Sequence, residues 1–222
     1  MTTIGLIGSG MIGSTVARLA VGAGHDVVLS NSRGPETLQE LVSELGPRAR
    51  AATRAEAAEV GDFVLVSTPI KAYPALSDVT VAGKVVLDTG NYYPQRDGEI
   101  PELATKTLTD SEYLVSFLPG AEVVKVFNNI FYQHLLNLAR AAGATDRTAL
   151  PIVGDSATAK AIVAEFLDSI GYGVVDAGAL PDGWRQQPGT PVYGTPYGSF
   201  DDEHGTPADE AVIRSALAAP TR

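Results

Sequence analysis

Gly8-Ser9-Gly10-Met11-Ile12-Gly13 has the residue types and spacing that hold a dinucleotide pyrophosphate. In such a stretch the first glycine makes a tight turn and the second lets backbone approach the phosphates. The third lets the following helix pack closely on its strand. A site for NAD places Asp or Glu about 20 residues further on, to hold the ribose 2′-hydroxyl. At that point the sequence reads Asn31-Ser32-Arg33-Gly34-Pro35, with no acid. Ser32 can donate a hydrogen bond, and the planar fork of Arg33 suits a 2′-phosphate. One charge-assisted contact is worth roughly 1.5–3 kcal/mol, or about one to two decades of preference. The pattern therefore predicts NADP(H).

Other candidates fall at the ends of apolar runs: Ser67-Thr68-Pro69, Asp88-Thr89-Gly90-Asn91 and Phe127-Asn128-Asn129. In an open parallel sheet the ligand lies along the carboxyl ends of the strands. Thr68 and Asn128 are thus expected beside the nicotinamide, with Ser67, Pro69 and Asn91 bordering the cofactor and Tyr92 and Tyr93 nearby. Asn and Asp also cap helices and make turns, which is the alternative for each. The residues show no Ser–His–Asp or Cys–His arrangement and no metal-ligand spacing. His134, on a helix after the sixth strand, is the candidate proton donor, with Lys125 and Asp155 behind it; ordinary packing or capping roles compete in each case. His25 and His204 fall in a turn and an acidic segment.

These residues need a scaffold of alternating strands and helices. Thr3–Ile7 is a strand, and Met11 to Ala23 repeats apolar residues at helical spacing. Strands follow at 26–30, near 50–52, and at 62–67, 84–88, 123–127, 149–153 and 173–176. Helices fall between them, notably 35–45, 54–60 and 156–170, and a short amphipathic helix at 207–218 closes the pattern. Such apolar strands indicate a parallel sheet covered on both faces. The expected fold is α/β, a Rossmann-type doubly wound and mainly parallel sheet with a short C-terminal extension. Residues 1–222 read as one domain, 1–127 holding the nucleotide and 128–222 completing the crevice. The 181–206 segment is rich in turn residues yet carries the only Trp. Crevice cover, interface with a second copy in a homodimer, and plain surface loop are all open to it.

Composition narrows the function class. The chain has 222 residues, 45% hydrophobic and 19% charged, with a net charge of −10. That charge argues against nucleic acid as a partner. Zero cysteines exclude disulfides and thiolate chemistry. No apolar run reaches the roughly 18 residues that span a membrane, and the amino end lacks signal-peptide features, so a cytoplasmic protein is expected.

The glycine stretch, Asn31-Ser32-Arg33-Gly34-Pro35, Ser67-Thr68-Pro69 and Lys125-Val126-Phe127-Asn128-Asn129-Ile130 resemble the NADP oxidoreductases that use coenzyme F-420, a deazaflavin. The resemblance continues through Pro151–Asp155 and Val175–Leu180. It implies hydride transfer between NADPH and a planar redox partner, with Ser9, Met11 and Ile12 on the pyrophosphate, Ser32 and Arg33 on the 2′-phosphate, and Thr68 and Pro69 by the nicotinamide. Asn128-Asn129-Ile130-Phe131 departs from the deazaflavin users. It is closer to a broader branch of dinucleotide-binding enzymes and to the flavin-reducing domain of six-transmembrane metalloreductases. Three functions follow: an NADPH-dependent reductase of deazaflavin or flavin, a reductase of a small imine or carbonyl compound, and a non-catalytic NADP sensor.

Overall fold

The computed structural model describes residues 1–220. Eight strands form one sheet: β1 (Thr3–Ile7), β2 (Asp26–Ser30), β3 (Ala49–Ala51), β4 (Phe63–Val66), β5 (Val85–Asp88), β6 (Glu122–Lys125), β7 (Ala149–Gly154) and β8 (Gly173–Asp176), in the order 3-2-1-4-5-6-7-8. The first six are parallel. β7 runs antiparallel to β6, with Lys125 opposite Val153, and β8 parallels β7. The doubly wound Rossmann-type sheet expected from the sequence is present, with its extension continuing the sheet.

Alternate strand residues feed two cores. Ile4, Leu6, Leu65, Leu87 and Val124 pack on α1 (Met11–Gly22), α2 (Gln39–Leu45) and a later helix. Ile7, Val64, Val66 and Val86 pack on the other side. There α3 (Arg54–Val60) lies so close to β1 that a Cβ on Gly5 would stand 2.0 Å from the Ala57 carbonyl oxygen. A capping box between Thr53 and Glu56 starts α3.

Three short helices follow β5: α4 (Pro94–Asp97), α5 (Pro101–Ala104) and α6 (Asp110–Val115). Turn residues around Tyr92–Gly98 predict a loop there; α4 is a single turn within it, and α5, also a single turn, follows it. Thr109-x-x-Glu112 is the capping-box signature that starts the third, α6. α7 (Tyr132–Asn137) follows β6, α8 (Ala157–Ser169) joins β7 to β8, and α9 (Glu210–Ala218) is capped by Asp209. Strand β6 stops at Lys125, earlier than the expected Phe127. Phe127 has φ 63°, in the left-handed region, and breaks the extended chain.

Because β7 is antiparallel, its amino end lies level with the carboxyl ends of β1, β4, β5 and β6. The chain after β8 returns to that end. The Ala149 N–H donates to the Ala208 carbonyl at 2.8 Å, and the Tyr197 hydroxyl donates to the Ala149 carbonyl at 3.2 Å. A C-terminal segment is thereby laid along the crevice.

Candidate functional site

A crevice of about 520 Å³ opens at these strand ends. At one side lies the glycine loop. Gly8 has φ 105°, and a Cβ there would stand 2.2 Å from the Ser67 carbonyl oxygen. A Cβ on Gly13 would stand 2.1 Å from the Gly8 carbonyl oxygen, so α1 can rest on the turn only with glycine there. On Gly10 a Cβ would meet no atom within 4 Å. That open space fronts the N-terminus of α1, which has no side-chain cap and no acidic residue in its first turn. Free backbone donors, the positive end of a helix dipole and room for close approach fit an anion such as the pyrophosphate of NADP.

The loop is tied to the end of β2. The Gly8 N–H and the Ser9 hydroxyl both donate to the Ser30 carbonyl, at 3.0 and 2.9 Å. The Ser9 side chain is thus engaged within the protein. Asn31 is engaged too: its Oδ1 accepts from the Arg33 N–H at 2.9 Å, and its Nδ2 donates to Thr37 Oγ1 at 2.8 Å. It folds the loop that carries Ser32 and Arg33, both exposed. Most arginines among the described residues sit in ion pairs; Arg33 does not. An unpaired guanidinium beside the phosphate loop suits the extra phosphate of NADP.

Met11, Ile12, Ser67, Thr68, Pro69, Asn91 and Asn128 all border the crevice. Thr68 Oγ1 is enclosed and without a partner in this rotamer, while its methyl approaches the space beside Gly8. Asn128 is buried and fully engaged. Its Nδ2 donates to Gln186 O at 2.7 Å and to Asn91 Oδ1 at 3.0 Å, and its Oδ1 accepts from Gln186 Nε2 at 3.1 Å. Asn128, expected beside the nicotinamide, therefore fastens to the sheet the segment that runs back from the far end of β8 and carries Gln186.

The family model described as NADP oxidoreductase, coenzyme F420-dependent, matches residues 3–92. A hypothetical protein of Sinorhizobium meliloti is 30% identical with a TM-score of 0.76, over 86% of this chain and 93% of that one. A protein of Arthrobacter sp. FB24, provisionally described as an F420-dependent NADP-reductase, is 27% identical with a TM-score of 0.67, over 81% and 86%. The chain belongs to this NADP oxidoreductase family. It is an NADP-dependent oxidoreductase of the Rossmann type. Metalloreductase STEAP3 of Rattus norvegicus is 29% identical over 180 residues, 80% of this chain. The chain spans 34% of the length of that relative.

Behind the crevice of this oxidoreductase lies a buried charge cluster. Lys125 Nζ donates to the Gly90 carbonyl at 2.7 Å, with Asp88 at 3.5 Å and Asp110 at 4.0 Å. The Tyr73 and Ser111 hydroxyls donate to Asp88 at 2.8 and 2.6 Å, and the Tyr92 N–H donates to Asp110 at 3.2 Å. Burial raises the Asp110 pKa, opposed by the Lys125 charge. The cluster holds Gly90, Asn91 and Tyr92 in place from behind. Lys125 is fully enclosed there and is no donor to a substrate. Among the described residues no three His, Cys, Asp or Glu side chains come together to hold a metal ion.

The remaining acid–base candidates lie off the crevice wall. His134 is buried behind Phe131; its Nε2–H donates to the Asp202 carbonyl at 2.6 Å, which ties down the C-terminal segment. Asp155 follows β7 at the opposite end of the sheet, since β7 is antiparallel, and accepts from the Leu180 N–H. Tyr92 turns away to bond Gly98 O and the Ile100 N–H. Tyr93 does border the crevice. The wall also includes Phe131, Tyr132, Tyr193 and Phe200, which sequence reasoning did not single out as site residues. Tyr193, Gly194 and Phe200 of the 181–206 segment line the crevice, so this segment forms part of its wall.

Proposed function

We propose that the protein transfers a hydride between NADP(H) and a planar redox coenzyme, a flavin or deazaflavin, bound in the aromatic half of the crevice. The observation that carries this reading is the wall itself. Tyr93, Phe131, Tyr132, Tyr193 and Phe200 border the same space as Gly10–Ile12, and Phe200 is 54% exposed beside it. The Phe131 and Phe200 ring centres lie 5.4 Å apart. Aromatic side chains lining a crevice of this volume suit a flat ring system. None of the lining residues is a carboxylate or histidine, and the one charged lining residue, Arg96, is paired with Asp97.

NADPH supplies the hydride when bound. The residues of this chain set distance and face: Gly10, Met11 and Ile12 hold the pyrophosphate, Ser32 and Arg33 hold the 2′-phosphate, and Thr68 and Pro69 border the nicotinamide. Similarity to the Arthrobacter protein, described as an F420-dependent NADP-reductase, and to the rat metalloreductase supports a redox partner.

Steady-state oxidation of NADPH with flavin mononucleotide, riboflavin, a deazaflavin and a panel of imines and carbonyls tests the reading. A higher kcat/KM with a flavin or deazaflavin than with any imine or carbonyl is expected. Preference for an imine or carbonyl, or no turnover with the planar coenzymes, overturns it.

A further inference from the structure

Tyr93 and Tyr193 are 100 positions apart in sequence, and they meet hydroxyl to hydroxyl at the crevice. Tyr93 belongs to the segment after β5. Its N–H donates to Asp97 at 3.0 Å, and the Arg96 guanidinium lies 4.9 Å from its ring centre. Tyr193 belongs to the C-terminal segment, where the next N–H, that of Gly194, donates to the Asn129 carbonyl at 2.8 Å. The two hydroxyls are thus fixed from two different walls.

Each phenol carries one O–H proton. One proton lies in the bond between the hydroxyls. The accepting hydroxyl keeps its own proton, which has no acceptor among the described residues. Neighbouring donors are engaged. Both amide hydrogens of Asn128 go to protein oxygens, and those of Asn129 go to Val192 O and the Tyr197 hydroxyl. Arg96 is turned to Asn91 O and Asp97. Burial, then the adjacent Tyr93 hydroxyl, raise the Tyr193 pKa well above the ordinary tyrosine value, so this hydroxyl stays protonated at neutral pH.

We propose that the Tyr93–Tyr193 hydroxyl pair is a catalytic donor that presents its unshared proton to the lone-pair nitrogen or oxygen of the hydride acceptor. This rests on the reading above that a second substrate accepts hydride in this crevice. Such an acceptor gains two electrons and one hydrogen as hydride, and one proton at a lone-pair atom. A preorganised O–H stabilises the negative charge developing at that atom. The proton then passes from the pair to the acceptor, and water returns a proton to the tyrosine oxygen.

The test uses Tyr93→Phe, Tyr193→Phe and the double variant, which keep the rings. Turnover is measured with the best acceptor from the panel, and NADPH affinity by titration of its fluorescence. Expected is a fall in kcat of about tenfold in each single variant, with the double variant no worse than the weaker single one and NADPH affinity unchanged. Unimpaired turnover in the double variant, losses that multiply, or losses explained by NADPH affinity overturn the assignment alone. A wild-type protein inactive with every acceptor overturns both the assignment and the reading on which it rests.

Discussion

Gly10→Ala separates cofactor binding from folding, because the added methyl meets only space that a phosphate would fill. Gly10 has φ −76° and ψ −163°, which alanine adopts without strain, and its Cβ would have no atom within 4 Å. The gain from a stiffer unfolded chain, about 0.4–1 kcal/mol, is offset by the poorer capping of alanine, leaving a net change below about 1 kcal/mol. For a domain of this size that is a Tm shift under roughly 4 °C. Binding behaves differently. A methyl on the approach path keeps phosphate oxygens from the backbone N–H groups, and losing one charge-assisted bond of about 1.5–3 kcal/mol weakens NADPH roughly ten- to hundredfold. Gly8→Ala is the control. With φ 105° and a Cβ 2.2 Å from the Ser67 carbonyl oxygen, it should lose about 3 kcal/mol or more, a fall of roughly 6–12 °C. Thermal unfolding without ligand and NADPH fluorescence titration read the two effects separately. If Gly10→Ala binds NADPH like the wild type, the cradle is not where the pyrophosphate sits.

Other outcomes follow from the same geometry. Arg33→Ala should weaken NADPH at least tenfold while NADH affinity changes little; equal losses for both would exclude a 2′-phosphate role. Asn128→Ala leaves Gln186 O, Gln186 Nε2 and Asn91 Oδ1 without a partner and should cost about 2–4 kcal/mol by denaturant titration, with a cost under 1 kcal/mol as the opposing result. Asp110→Asn tests the buried cluster. Burial raises the folded pKa of Asp110 above its unfolded value, so ionisation is harder in the folded state. Wild-type stability relative to the variant is therefore greatest below the ordinary aspartate range and declines as pH rises through the folded pKa. Tm curves of the two proteins that stay parallel, or a wild type that gains on the variant with rising pH, would contradict this.

The parts legible in the sequence are those set by neighbours along the chain. Strand, glycine turn and helix from Thr3 to Gly22 announce themselves because tight turns, close packing and helical periodicity are local requirements. The absence of an acid at Asn31-Ser32-Arg33 is equally local. Helices α4 and α5 are single turns, too short to show a period, whereas the capping box at Thr109 is a local signal for α6.

By itself the sequence determined a two-faced, mainly parallel α/β sheet and a phosphate loop suited to NADP, since both arise from period, glycine placement and charge within short windows. Tertiary structure alone decided what completes the crevice. Lys125 and Asn128 look like reactive strand-end residues, yet one is enclosed by Asp88 and Asp110 and the other anchors Gln186. Asp155 looks like another strand-end candidate, but an antiparallel β7 carries it to the far end of the sheet. Tyr193 meets Tyr93 because the chain, leaving β8 at the far end of the sheet beside Asp155, runs back to the cofactor end. Strand direction and long-range pairing depend on the whole packed sheet, and no local window contains them.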